Sequence, residues 1–357
     1  MKWGLWWAQI KSVIRLEMRK TFFAKRGIWV YLLALAPAAL FFADSIAVIH
    51  DRDRRAEEAS THQISREKIG SVKMGMTREE VEAILGEPYS KQVFTIGRRE
   101  QHEVAGYRYT DGENDYGFRF RDNELVGRVT NELRTIPKDS LIFATVFQFF
   151  FLRLAIFFGC VGIFTNLFRG ELLDKSLHFY LLAPIRREVL LVGKYLAGLI
   201  ATVVIFTTST ALQLLAMGWH LTGPAMTEYL HGPGIRHIGA YLGVTALACL
   251  GYGSVFLAAG LIFRNPIIPA AVVLLWESAN PFLPATLKKI SVIFYLQSMC
   301  PVVARPNDMP ALAALLLSSA EATPVVWAAS GLVVVTMVLL ALAGRQARKL
   351  EINYSSD

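Results

Sequence analysis

Two ionisable residues stand where a lipid-facing chain could not keep them: Arg153 midway along the apolar run 139–167, and Glu277 midway along 266–285. Asp44 sits near the end of a third run, 28–49. An uncompensated charge at a bilayer centre costs about 2.5–3.5 kcal/mol on insertion scales. Pairing Arg153 with Glu277 would remove much of that cost; a place on a translocation path, or no contact, are the alternatives. A second constellation lies between two apolar runs, from Phe168 to Glu188. Leu173, Leu177, Tyr180 and Leu181 recur at helical spacing, Pro184 stops the pattern, and Arg186-Arg187 follow where the next run begins. Such a short amphipathic helix can dock in a partner's groove and push on both neighbouring helices, or simply lie at a membrane surface behind basic anchors. His220, His231 and His237 share one loop and have the chemistry of metal ligands, but solvated loop histidines explain them as well, and no metal site is assigned. The chain contains no Gly-x-x-x-x-Gly-Lys-Ser/Thr loop, His-Glu-x-x-His pair or Gly-x-Ser-x-Gly elbow. Catalytic residues are therefore not assigned, and no enzymatic activity or cofactor is expected of the chain itself.

The elements that carry these residues are set by composition. Of 357 residues, 54% are hydrophobic and 18% charged, with mean hydropathy +0.39; soluble domains carry about 25% charged residues. The apolar excess is clumped. A helical span needs about 20 mostly apolar residues, and six runs qualify: 28–49, 139–167, 190–217, 238–263, 266–285 and 325–343. Weaker pieces at 290–304 and 311–320 read as re-entrant or interfacial helices within the linker 286–324. Eight spans are the alternative, disfavoured by Pro301, Pro306 and Pro310. The net charge of +8 is unevenly placed: residues 51–139 hold 16 Lys/Arg and 18 Asp/Glu, leaving +10 on the rest. With the N-terminus inside, 16 of those 21 remaining bases fall on the cytoplasmic side, in segments 1–27, 168–189 and 344–357 and at neighbouring span ends. The charge is thus an orientation signal and not a nucleic-acid surface. The expected fold is an all-α polytopic membrane protein with six transmembrane helices, both termini cytoplasmic, and a small α+β extracytoplasmic domain at 50–138. Cys160, Cys249 and Cys300 are too scattered for a disulfide framework.

Residues 1–27 read as an amphipathic elbow helix in the headgroup layer, with Trp3, Trp6, Ile10, Val13 and Ile14 opposite Lys11, Arg15 and Arg19. A cleaved signal peptide is the rival, since Ala34-Leu35-Ala36 mimics a cleavage site. Within 50–138, Arg52 to Glu67 reads as a charged helical stalk or linker. Thr77 and Glu80 have capping-box spacing, Val81, Ile84 and Leu85 supply a buried face, and Gly86 with Pro88 stop the helix. The period then changes to two: Tyr107/Tyr109, Tyr116/Phe118/Phe120, then Leu125 with Val129, with a turn at Asp122-Asn123. One helix on a three- or four-stranded antiparallel sheet is expected. Gly243, Gly251, Gly253 and Gly260 in the fourth run predict close helix packing.

Two resemblances add to this. The Met74-Gly75-Met76-Thr77-x-x-Glu80-Val81 start, the Leu85-Gly86-x-Pro88 stop and the aromatic strands resemble the small outer-membrane lipoprotein (SmpA/OmlA, BamE-like) domain, over residues 69–130. That family's domain binds proteins, so a periplasmic protein partner is implied there, a partnerless folded spacer being the alternative. The lipidated cysteine of a lipoprotein is missing from this context. Glu171, Leu181, Pro184, Ile185, Arg186, Arg187, Gly193 and Lys194 resemble the cytoplasmic loop of type-2 ABC exporter permease subunits, as do the elbow helix, the six runs and the weakly apolar linker. The resemblance implies that Glu171 to Leu182 is a coupling helix, with Glu171, Leu173, Leu177, Leu181, Pro184, Ile185, Arg186, Arg187 and Lys194 meeting a separate ATP-binding subunit that holds ATP-Mg. It further implies a second permease copy, membrane lipids as surroundings, and a bacterial cytoplasmic (inner) membrane location. A non-transporting scaffold that recruits envelope proteins is the reading from another class.

Overall fold

Apolar runs too long for a soluble core fold here as long helices, and the one stretch with period-two alternation folds as a sheet. The structure is a computed structural model and describes residues 2–23, 27–61, 64–96, 102–112, 114–132, 134–173, 185–221, 223–263, 265–303 and 323–348. In chain order the elements are α1 (Lys2–Phe23), α2 (Ile28–Thr61), α3 (Arg66–Ser71), α4 (Arg78–Leu85) and the strands β1 (Ser90–Ile96), β2 (His102–Thr110), β3 (Asn114–Arg121) and β4 (Glu124–Glu132). Then come α5 (Ile136–Val146), a π-helical segment (Phe147–Ile156), α6 (Phe157–Phe164), α7 (Asn166–Leu173), α8 (Arg187–Gly218) and α9 (Gly223–Tyr229). A π-helical turn (Leu230–Gly234) leads into α10 (Ile235–Ile262), followed by α11 (Ile267–Ala279), α12 (Ala285–Lys288), α13 (Val292–Met299) and α14 (Val325–Arg348). Two compact units result: Met1–Phe42 with Asp139–Asp357, and Ala43–Lys138.

Five helical stretches among the described residues are long and apolar enough to cross a membrane: Ile28–Glu58, Ile136–Phe168, Arg187–Gly218, Gly223–Ile262 and Val325–Arg348. The expected span 266–285 is different. Its helix α11 has 13 residues, a rise of about 20 Å, short of the hydrocarbon thickness of about 30 Å. Asn280-Pro281 and Pro284 break it, and the chain turns back into α13, which is buried along most of its length. The re-entrant reading of 290–304 fits that helix; the piece at 311–320 lies outside the described residues. The π segment fills the middle of the second run, where Phe147, Phe151, Leu152 and Ile156 are all wholly buried. Small residues set the helix spacing. Phe164 is wedged between Gly198 and Gly253, where an added Cβ would lie 2.8 and 2.5 Å from its ring. Gly251 faces Val292 and Leu332, and Gly260 faces the Thr165 backbone, as close packing requires; Gly243 faces open space, so the fourth glycine has no such role. Polar groups tie helices where lipid offers no partner: Thr210 and Thr245 hydroxyls meet at 2.9 Å, the Tyr195 hydroxyl donates to Leu250 O at 2.9 Å, and the Ser209 hydroxyl donates to Ala34 O.

The second unit begins inside α2, which continues from the first apolar run into the charged stalk as one 34-residue helix ending at Thr61. Beyond it, α4 starts on the expected capping box: Thr77 Oγ1 accepts from Glu80 N at 3.3 Å and Glu80 Oε2 accepts from Thr77 N at 2.8 Å. Gly86, at φ +86°, closes the helix. The sheet is an antiparallel meander in the order β1-β2-β3-β4. Asp122 and Asn123, both at positive φ, make the β3–β4 turn. Val81, Leu85, Tyr107, Tyr109, Tyr116, Phe118, Phe120 and Leu125 form the core, joined by Ile69 from α3, a second small helix absent from the expectation of one. Val129 is a correction. A register shift between Arg119 and Phe120 inserts a residue into β4, so Val129 emerges on the outer face, 51% exposed, while Arg128, itself exposed, lays its guanidinium over the Tyr116 and Phe118 rings.

Candidate functional site

The flanks of segment 174–186, of which only Ile185 and Arg186 are described, are built by α7 on one side and α8 on the other. Glu171 and Leu173 fall in the last turn of α7; Leu177, Leu181 and Pro184 lie outside the described residues. Ile185 is half-buried, and Arg186 is extended (φ −67°, ψ 137°) as the residue before α8. The Arg186 guanidinium lies 5.0 Å from the centre of the Trp6 ring of α1. Arg187 Nη1 donates to Arg348 O at 2.7 Å, and Arg348 pairs with Glu188 at 2.5 Å, so the start of α8 also meets the end of α14. These last side chains are exposed, and their pairing adds little energy.

Lys194 is where the expectation needs correcting. Its side chain is wholly buried and cannot touch an ATP-binding subunit. Instead Nζ donates to Glu17 Oε1 of α1 at 2.7 Å and to Leu167 O of α7 at 2.8 Å, and lies 5.3 Å from the centre of the Phe168 ring. Removing two charges from water costs several kcal/mol per ion, which only close pairing with further hydrogen bonds offsets. Lys194 therefore knots α1, α7 and α8 together. Gly193, beside it, admits the Val13 side chain: a Cβ there would sit 2.8 Å from Cγ1. Glu17 escaped the sequence reading, although a signal existed: it continues the apolar series Ile10, Val13, Ile14 at helical spacing, where an acid needs a buried base.

The intramembrane charges divide. Arg153, on the π segment, and Glu277, on α11, come together: Arg153 Nη1 donates to the Glu277 carbonyl at 3.2 Å. The Glu277 carboxylate accepts from Ser291 Oγ at 2.8 Å and from Val292 N and Ile293 N, each at 2.9 Å, so it caps the N-terminus of α13. Also on the π segment, Gln148 donates to Val302 O at 2.9 Å. Asp44 belongs with the second unit, where Arg134 grips its carboxylate with two hydrogen bonds of 2.6 and 2.8 Å. It has a cationic partner of its own, and the membrane-interior reading of Asp44 gives way to this pair.

The three loop histidines are kept apart by different partners. His220 Nε2 lies 2.9 Å from Asp139 Oδ2 in a buried pair, His231 Nδ1 lies 2.8 Å from Thr227 O, and the His237 ring stands edge-on to Tyr229. Among the described residues no three His, Cys, Asp or Glu side chains gather as metal ligands would. In the second unit, His102 holds the Asp122 carboxyl below its usual range through a 2.7 Å hydrogen bond, a surface tie at the hairpin turn. Comparison of the chain with protein-family models, characterised proteins and solved structures finds no match.

Proposed function

We propose that this chain is the membrane-embedded permease subunit of an ATP-driven exporter of the type-2 ABC kind. The observation that carries the reading is the base of loop 174–186: the residues matching the exporter loop on either side of it flank a buried Lys194–Glu17 ion pair that binds the loop's two flanking helices to the N-terminal helix. A push on the loop by an ATP-binding subunit would move α1, α7 and α8 together. ATP and Mg²⁺ would sit on that separate subunit, since this sequence has no phosphate-binding loop. Two permease copies would enclose the pathway. In this reading α1 lies as an elbow helix on the inner surface, α11 with the turns after it serves as the sixth crossing, and both termini face the cytoplasm of a bacterium. The unit at 43–138 would then lie outside and meet a periplasmic protein, as its likeness to the BamE-like domain suggests. A membrane scaffold that recruits envelope proteins is the second reading, favoured by that same folded unit.

Affinity purification in mild detergent separates the two. The permease reading expects an ATPase subunit to co-purify and Arg186→Glu to release it, without loss of the folded membrane protein. Absence of any ATPase from the purified complex, with export unaffected by R186E, would overturn it in favour of the scaffold.

A further inference from the structure

In an α-helix each residue turns the chain by about 100°, so positions five apart diverge by roughly 140°. In a π-helix residue i bonds to i+5, which stacks such positions on one face. Gln148 and Arg153 are five apart, both are buried, and both lie in the π segment. They grip the same body at its two ends. Arg153 holds the carbonyl of Glu277, where α11 turns into the hairpin; Gln148 holds the carbonyl of Val302, where the hairpin leaves. Between these points the hairpin is braced internally. The Glu277 carboxylate caps α13 and the Tyr295 hydroxyl donates to Lys289 O at 2.7 Å, while outside the hairpin Gly331 of α14 and Gly251 of α10 leave room for Tyr295 and Val292 to pack. The hairpin is thus bonded within itself and held at both ends by two side chains that the π winding brings toward one face.

We propose that the π segment is a two-state latch and that residues 277–302 form the gate it holds. Wound as π, the segment grips both ends of the gate. Rewound as α, it swings Gln148 and Arg153 apart, loses one grip and frees the block to move. Gln148 and Arg153 are positioning residues, and the movement's use in opening a pathway rests on the permease reading; the latch itself rests on this geometry alone.

The native cysteines supply the test. Cys300 directly follows α13 and is partly exposed, whereas Cys160 and Cys249 are wholly buried in the helical core and report on global unfolding. Alkylation by N-ethylmaleimide, read by mass spectrometry on the full chain in nanodiscs, follows all three. The latch expects Q148A and R153M each to speed Cys300 labelling about tenfold, the loss of one buried hydrogen bond from the docked state. Q148A/R153M should be little faster than either single change, R153K should restore much of the protection, and Cys160 and Cys249 should stay unlabelled. Amide exchange over 292–299 should rise in parallel. Unchanged labelling in both single variants, or exposure of Cys160 and Cys249 together with Cys300, would overturn the latch. Neither result bears on whether an ATPase subunit co-purifies, so the two readings fail separately.

Discussion

Lys194 and Glu17 show how a single residue changes meaning once its surroundings are known. By pattern, Lys194 is one more base at an inner membrane edge; by burial, it is half of an internal ion pair joining three helices. Removing one partner of such a pair leaves an uncompensated charge, a loss of about 3–5 kcal/mol, whereas replacing both with apolar side chains of similar size is often neutral. Lys194→Met alone and Glu17→Leu alone should therefore each lower the thermal midpoint of the detergent-solubilised protein, with the double variant recovering most of the loss. Additive losses would show that each residue acts through a different neighbour. Under the permease reading the double variant should still be poorly coupled, since its fold is restored but the polar knot is not. ATPase stimulation in the purified complex is the measurement.

At the scale of elements, the contacts that decide are between ring and glycine. Phe164 fills the space left by Gly198 and Gly253, so a larger residue at either glycine must displace a fully buried ring. Gly253→Val is expected to cost roughly 1–3 kcal/mol by overpacking, lowering the thermal midpoint, and Phe164→Leu in the same chain should offset part of it. If Phe164→Leu only adds to the loss, the two residues are not the pair described. Strand placement obeys similar local rules. Alternation put Leu125 and Val129 on one face, and the inserted residue in β4 separated them, because one extra residue reverses every later side chain on a strand. Helix α11 likewise ends early, where Asn280-Pro281 interrupts a run that hydropathy alone carries on to 285.

For the whole molecule, the dominant fact is the separation of charge between a −2 stretch at 51–139 and a +10 remainder. The permease reading counts the bases on the inner side and so expects the 43–138 unit outside. Single cysteines placed in this unit, at Ser71 and Ser90, should react with a membrane-impermeant maleimide in intact spheroplasts. Cysteines at Ser12 in α1 should react only after permeabilisation. The opposite pattern would invert this topology and remove the inner-face position that the permease reading needs for segment 174–186.

Much of this protein was legible from its residues in order. Four of the six apolar runs appear as long helices near their expected bounds, a fifth extends on into the stalk, and the capping box, the Gly86 stop and the Asp122-Asn123 turn stand where spacing placed them. These features depend on neighbours a few residues away, or on the summed transfer of a run into lipid, so a linear reading suffices. The tertiary structure alone decided which charges meet. It buried Lys194 against an acid 177 residues distant, gave Asp44 a partner 90 residues on, and brought Arg153 to the Glu277 carbonyl 124 residues away. It also wound the second run's centre as a π-helix, which its apolar composition does not announce. Pairing across such distances depends on which helices pack together and at what rotation, and hydropathy and periodicity carry no record of either.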